Sequence, residues 1–243
     1  MATGGAAGNN VVKRSEGSDG PHLTGRPGLT STRDNPLRPE HFRRADESDD
    51  GQFYTEPRLV THIDDAAIAA AREFYGQLLP AGGAILDLMS SWISHLPAEA
   101  GFASVAGLGL NAVELENNPQ LTERVVQDLN KDTRLPFAAA TFDGAVVTVS
   151  VQYLVHPVEV FAEVGRVLKS GAPFIVTFSN RCFPTKAVAI WTALGDREHG
   201  ELVGLYFRLS GAFSPAQAYD ISPAPGRSDP LYAVVAYALP VPS

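Results

Sequence analysis

One cysteine, Cys182, stands in 243 residues. A single thiol cannot form an intramolecular disulfide, and no cysteine cluster is available to hold zinc. Such a chain suits a reducing compartment. A basic excess is also missing: 19 Lys and Arg face 27 Asp and Glu, for a net charge of −8 and a pI near 5.2. Binding to a phosphate backbone demands the reverse. No nucleic-acid partner is expected, and a small molecule is the better default. No apolar run is long enough to span a bilayer, and no continuous apolar stretch follows the first charges as in a secretory signal. A transit peptide would be poor in acids, whereas Glu16, Asp19, Asp34, Glu40 and Asp46 interrupt this N-terminus. Organelle targeting by this segment stays open.

Large apolar side chains are scarce up to Gly51, where only Met1, Val11, Val12, Leu23, Leu29, Leu37 and Phe42 occur. So little apolar surface does not offset the entropy of ordering, and residues 1–51 are expected to be a disordered tail. The alternative is an arm that folds over the site through His41-Phe42-Arg43. A single domain is expected over 52–243.

The 44% of hydrophobic residues are enough for a substantial core, and their periodicity alternates between strand and helix. Thr61 with Asp64 resembles a capping box, after which Ile63, Ala67, Ala70, Phe74 and Leu78 mark one helical face. Residues 84–88 read as a buried strand and 103–110 as a second, with Asn111 capping the next helix. Val125-Val126, ending at Asp128-Leu129, leads a third strand, and 142–150 a fourth. Pro157 opens a helix with Val158, Phe161, Val164 and Leu168 on its apolar stripe. A fifth strand over 174–178 precedes a helix expected from Pro184 to Gly195, then an amphipathic helix around Leu202, Tyr206 and Leu209. Residues 217–221 and 231–239 are two strands without a helix between them, a pair that can be antiparallel. The reading is α/β: a doubly wound, seven-stranded, mostly parallel sheet closed by a C-terminal antiparallel hairpin.

Ligands of open α/β sheets lie at the carboxyl ends of the strands, near the reversal of strand order. The polar strand ends here are Asp87-Leu88-Met89-Ser90-Ser91, Gly109-Leu110-Asn111, Gln127-Asp128-Leu129-Asn130, Ser150-Val151-Gln152-Tyr153 and Ser179-Asn180-Arg181. Together with Leu135-Pro136-Phe137, Thr141-Phe142-Asp143 and Arg166-Val167-Leu168-Lys169-Ser170-Gly171, they resemble successive motifs of the class I S-adenosylmethionine-dependent methyltransferases. The similarity is greatest to the small-molecule "type 11" branch and runs from Phe53 to the C-terminus. It implies a Rossmann-like methyltransferase fold, S-adenosyl-L-methionine as cofactor and a small-molecule methyl acceptor.

The resemblance implies that Asp87 lies near the cofactor's amino-acid moiety. It sets Asp128 at the adenine amino group with the Leu129 backbone adjacent, and Ser150 at the methionine end. Tyr54 and Arg58 belong to a segment that often covers the cofactor in this fold, the equal alternative being a salt bridge with the tail or Asp64. Met89-Ser90-Ser91 replaces the family's glycine-rich loop, its hydroxyls available to a carboxylate. The acid that usually grips the ribose is absent at Gly109, with Asn111 the nearest substitute. Methyl transfer from a sulfonium is mainly a matter of in-line positioning, and Tyr153, Asn180 and Arg181 are the candidate acceptor-side residues. Arg181 would hold an anionic substrate.

Blander roles are assigned elsewhere. His95 reads as a loop or helix-end hydrogen bonder, His156 as a helix cap, Trp92 and Trp191 as core, Cys182 as packing and Lys186 as a solvated surface charge. Two rivals remain. One is a non-catalytic, regulatory cofactor- or nucleotide-binding protein on the same sheet. The other is an oxidoreductase, which fits poorly because no G-x-G-x-x-G follows the first strand.

Overall fold

Among the described residues, 35–240 of a computed structural model, seven segments become strands of one sheet. They are β1 (Ala84–Leu88), β2 (Ser104–Gly109), β3 (Glu123–Val126), β4 (Gly144–Thr148), β5 (Pro173–Phe178), β6 (Gln217–Asp220) and β7 (Tyr232–Tyr237). The order is β3-β2-β1-β4-β5-β7-β6. Strands β1 to β5 are parallel, with Ala84 opposite Ser104 on one side of β1 and Ile85 opposite Gly144 on the other. Strand β7 enters antiparallel between β5 and β6. The expected mostly parallel sheet with its antiparallel end is therefore the observed one.

Central parallel strands are buried on both faces, so they read as continuous apolar runs. In β1, Ile85 packs with Ala67, Ala71 and Phe74 of α2 (Asp65–Leu78), whereas Leu86 and Leu88 join the core on the opposite face. That second core is filled by α4 (Pro157–Val167) and α6 (Asp196–Ser210), where Phe161 meets Phe174, Tyr206 and Phe207 at 5.0, 5.8 and 4.8 Å between centroids. No helix among the described residues is long and apolar enough to cross a membrane.

Three expectations need correction. Helix α2 is capped by Asp64 itself, which accepts the Ala67 N–H at 2.8 Å and the Asp229 N–H at 2.7 Å; Thr61 lies outside. The helix expected from Pro184 shrinks to α5 (Ala189–Thr192). Residues 183–189 instead spend backbone groups on the N-terminal segment: Asp46 N–H donates to Thr185 O at 2.8 Å and Ala189 N–H to Arg43 O at 2.7 Å.

The third correction concerns the tail. Residues 1–34 lie outside the described residues, but within 35–51 the chain forms a 3-10 turn at Pro39–Phe42 and a bridge between Arg44 and Val188. It then enters α1 (Asp50–Phe53), with Asp50 buried. Ionic and backbone bonds replace the apolar contacts that this stretch lacks.

Replacing Phe161 by Ala should cost about 3–5 kcal/mol, the usual range for a buried phenyl ring. Urea unfolding should show a lower midpoint at unchanged slope. A loss below about 1 kcal/mol would mean that this aromatic core does not carry the load assigned to it.

Candidate functional site

Strand order reverses between β1 and β4, and the carboxyl ends of β1 to β5 open there on a cavity of roughly 510 Å³. Its lining includes Tyr54, Arg58, Asp87, Met89, Ser90, Ser91, Asn111, Asp128, Leu129, Ser150, Tyr153, Asn180 and Arg181. All thirteen residues singled out in the sequence thus converge on one hollow, although they come from six separate stretches of chain.

Asp87, only 2% exposed, anchors its floor. Ser90 Oγ donates to its carboxylate at 2.6 Å, and no cation pairs with it among the described residues. Burial pushes the Asp87 carboxyl up to about 7, against the opposing hydrogen bonds of Ser90 and Ser94. An anion held this way lacks a counter-charge that a ligand can supply.

The loop after β1 is shaped by that carboxylate. Met89 takes φ 56°, the left-handed region that glycine enters without penalty. This turns Ser90 so that its N–H donates to Leu108 O at 2.8 Å while its hydroxyl reaches back to Asp87. The Ser90 carbonyl is thereby pressed onto β2, and a Cβ at Gly109 would lie 2.2 Å from it. No acid fits at Gly109 while this loop holds its path, which explains physically the absent ribose carboxylate.

Asn111 does not fill the gap. Its amide oxygen accepts the Glu114 N–H at 3.1 Å, and its NH2 donates to Tyr54 O at 2.7 Å and Thr55 O at 3.2 Å. The amide is committed to capping α3 (Ala112–Glu116) and to tying down the N-terminal segment. Glu114, not among the site residues read from the sequence, is the buried acid of this wall. Its carboxylate accepts the Ser91 hydroxyl at 2.5 Å and the Arg58 N–H at 2.8 Å. The signal was its capping-box position three residues after Asn111, but it turns to the cavity instead of returning to its own cap.

Arg58 crosses the cavity from the N-terminal side. Its guanidinium carbon lies 4.7, 5.2 and 5.4 Å from the ring centres of Phe53, Tyr54 and Phe183. Nη2 donates to Phe53 O at 3.0 Å, while buried Nη1 has no hydrogen-bond partner. Burial raises the Tyr54 phenol above its ordinary range, so it stays protonated.

On the far side Asp128 accepts the Asn130 N–H at 3.0 Å and lies 3.5 Å from Lys131. The buried Ser150 hydroxyl has no partner. It follows Val149, a β-branched residue at φ 45°, an outlier costing on the order of 1–3 kcal/mol. Hydrogen bonds from Val149 N–H to Thr177 O and from Gln152 Nε2 to Val149 O, both 2.9 Å, hold it there. Tyr153 Oη accepts the Phe183 N–H at 2.8 Å, and burial pushes its phenol up to about 12. Asn180 is exposed, and Arg181 lies 3.4 Å from Asp229 with most of its side chain in solvent.

Several blander readings change. Lys186, expected on the surface, is wholly buried and lines the cavity. His95 also lines it, with φ 55° and a buried, unpartnered Nδ1; burial lowers its pKa to about 4, so it is neutral near pH 7. Cys182 is half-buried, and burial raises its thiol pKa, which opposes a thiolate. His156 stands at the N-cap of α4, but its side chain makes no capping bond. Trp92 lies on the cavity wall with Nε1 donating to Val60 O at 3.0 Å, and Trp191 is core. Among the described residues no group of three or more His, Cys, Asp or Glu side chains is arranged to hold a metal ion.

Comparison with known proteins agrees with this geometry. The family described as a methyltransferase domain, of type 11, matches residues 89–176. Methyltransferase phqN of Penicillium fellutanum is 38% identical over 78 residues, which are 30% of this chain and 24% of that protein. The match thus spans about a quarter of that relative's length. Phosphoethanolamine N-methyltransferase 2 of Haemonchus contortus, solved with S-adenosyl-L-methionine, superposes with a TM-score of 0.51 at 13% identity, over 71% of this chain and 52% of that one. The [4+2]-cyclase SpnF superposes at 0.53 and 14% identity, over 78% of this chain and 95% of that one. At these identities the structures speak to the fold alone.

The raised Asp87 pKa has a stability signature. Between the ordinary value of 3.8 and about 7 the folded state binds the proton more tightly than the unfolded state. Its contribution therefore falls as pH rises through that window, on the order of a few kcal/mol in total. Urea unfolding at pH 5 and pH 8 should show Asp87→Asn gaining stability relative to wild type at the higher pH. An equal difference at both pH values would contradict the shift.

Proposed function

We propose, for a chain whose residues 89–176 match the methyltransferase domain of type 11, that the cavity binds S-adenosyl-L-methionine and transfers its methyl group to a small acceptor. The observation that carries this reading is the buried, cation-free carboxylate of Asp87 at the β1–β4 switch. A ligand bearing an ammonium group would supply the missing counter-charge. The neighbouring orphans fit the rest of an amino-acid end: Arg58 Nη1 can donate to a carboxylate, and the Ser150 hydroxyl can bond either group.

In this reading Asp87, Met89, Ser90, Ser91, Ser150, Tyr54 and Arg58 hold the methionine end, and Asp128 with Leu129 holds the adenine. Asn111 acts by fixing Tyr54 and Thr55 through their carbonyls rather than by gripping the ribose. Glu114, three residues further on, is the acid on that wall. Bound there, the cofactor supplies an electrophilic methyl on a sulfonium. The chain's task is to align an acceptor lone pair with it and keep water out. Tyr153 stays a neutral phenol that can orient the acceptor. Arg181 and Asn180, at the mouth, are placed to meet it as it enters, and an anionic acceptor group would displace Asp229 from Arg181.

The fold alone does not fix the reaction, since a cyclase shares it, and a non-catalytic binding protein is the rival reading. Calorimetry with S-adenosylmethionine and S-adenosylhomocysteine separates the proposal from a dinucleotide site, and micromolar binding is expected. Asp128→Ala should weaken both about tenfold or more, as loss of a charge-assisted hydrogen bond would. Arg181→Ala should leave them unchanged and impair turnover in a labelled-methyl screen of small acceptors. Failure of the wild type to bind either cofactor form would end this assignment. Methyl transfer to no acceptor, with binding intact, would favour the non-catalytic rival.

A further inference from the structure

Lys186 is the buried charge that the binding scheme leaves unused. Its Nζ donates to Ser48 O at 2.7 Å and Ser48 Oγ at 3.1 Å, and pairs with Asp46 and Asp50 at 3.2 Å each. It also lies 5.0 Å from the ring centre of Phe53. Arg44 Nη1 donates to both Asp50 oxygens at 2.8 and 2.7 Å. Asn130 Nδ2 adds a bond to Asp50 at 2.9 Å and another to Tyr153 O at 2.9 Å, while its Oδ1 accepts the Val155 N–H. Lys186 and Arg44 thus face Asp46 and Asp50, with the exposed Glu47 at 4.0 Å from Arg44 on the outside. They join the N-terminal segment to the turns after β3, β4 and β5, which all border the cavity.

The location of this cluster gives it a purpose beyond packing. No residue of 44–58 belongs to the buried part of either apolar core. The segment is held over the cavity by polar ties, and the same stretch carries Tyr54 and Arg58. The loop after β5 grips it twice, with Phe183 under the Arg58 guanidinium and Lys186 beneath residues 46–50. We propose that Lys186 is a positioning residue: its ammonium latches residues 44–58 across the cavity, so that Tyr54 and Arg58 reach the cofactor and govern its release. Removing one member of a buried, balanced cluster leaves a charge unpaired, whereas removing a cation and an anion together restores balance. Loosening should be local, since segments with few apolar contacts open below the global unfolding free energy.

This inference rests on the cavity's being the S-adenosylmethionine site. The test measures S-adenosylhomocysteine binding and dissociation with the full chain. Lys186→Met should speed dissociation about tenfold or more and weaken affinity accordingly. The double variant Lys186→Met/Asp46→Asn, again balanced through Arg44 and Asp50 but still without the ammonium, should stay fast, which separates the latch from charge imbalance alone. Trypsin should cut after Arg44 and Arg58 faster in the single variant than in wild type. Phe213→Leu, a core change where the ring packs on Phe174 and Phe207, should lower the melting temperature without changing dissociation. Wild-type dissociation from a folded Lys186→Met, or full recovery in the double variant, would overturn the latch alone. If the single variant does not fold, Asp46→Asn decides: unchanged dissociation there also overturns it. Absence of binding by the wild type would overturn the cofactor reading and the latch with it.

Discussion

Burying a carboxylate at the end of a central strand is costly unless something neutralises it, and much of this site follows from how Asp87 is accommodated. Its main hydrogen-bonding partner is the Ser90 hydroxyl, three residues on, with Ser94 a second. To deliver that hydroxyl, the chain accepts a left-handed Met89 and seats the Ser90 carbonyl against β2. Gly109 is then the residue that fits, and the acid of the wall moves along the chain to Glu114. Glu114 in turn fixes Ser91 and the backbone of Arg58. One desolvated charge thus propagates through short bonds to three of the segments that shape the cavity. The Asp87 carboxylate is left without a cation partner among the described residues.

Much of the fold was legible because its signals are local. Strands β1, β2 and β5 are continuous apolar runs, α4 starts at Pro157, and the absence of a helix between β6 and β7 pointed to antiparallel pairing. The strand-end rule then gathered Asp87, Asp128, Ser150 and Asn180 into one place, although it could not say what each one touches. Asn111 shows the limit. Its type and position suggested a ligand contact, while its amide is spent on Glu114, Tyr54 and Thr55.

What stayed hidden depends on contacts between distant parts of the chain. Lys186 reaches Ser48 across 138 positions, and no periodicity in either stretch announces the pairing. Residues 35–51 look unable to fold because they lack apolar side chains. They are ordered instead by charges whose partners lie beyond β3 and β5. Composition weighs a segment by what it contains; this one is held by what it meets. The same fold serves a cyclase as well as methyltransferases, so the sheet alone does not decide the chemistry, and the orphaned polar groups carry the functional reading.

The central claim is that Asp87 waits for a positive charge carried by the cofactor. Isothermal calorimetry of S-adenosylmethionine binding at pH 7, in two buffers of different ionisation enthalpy, tests it directly. Asp87 is partly protonated in the free protein, with a pKa near 7, and an arriving ammonium group would favour its ionised form. Binding should therefore release a fraction of a proton, roughly half at most at this pH, and Asp87→Asn should abolish the release. Binding without proton release, or with uptake, would contradict the account.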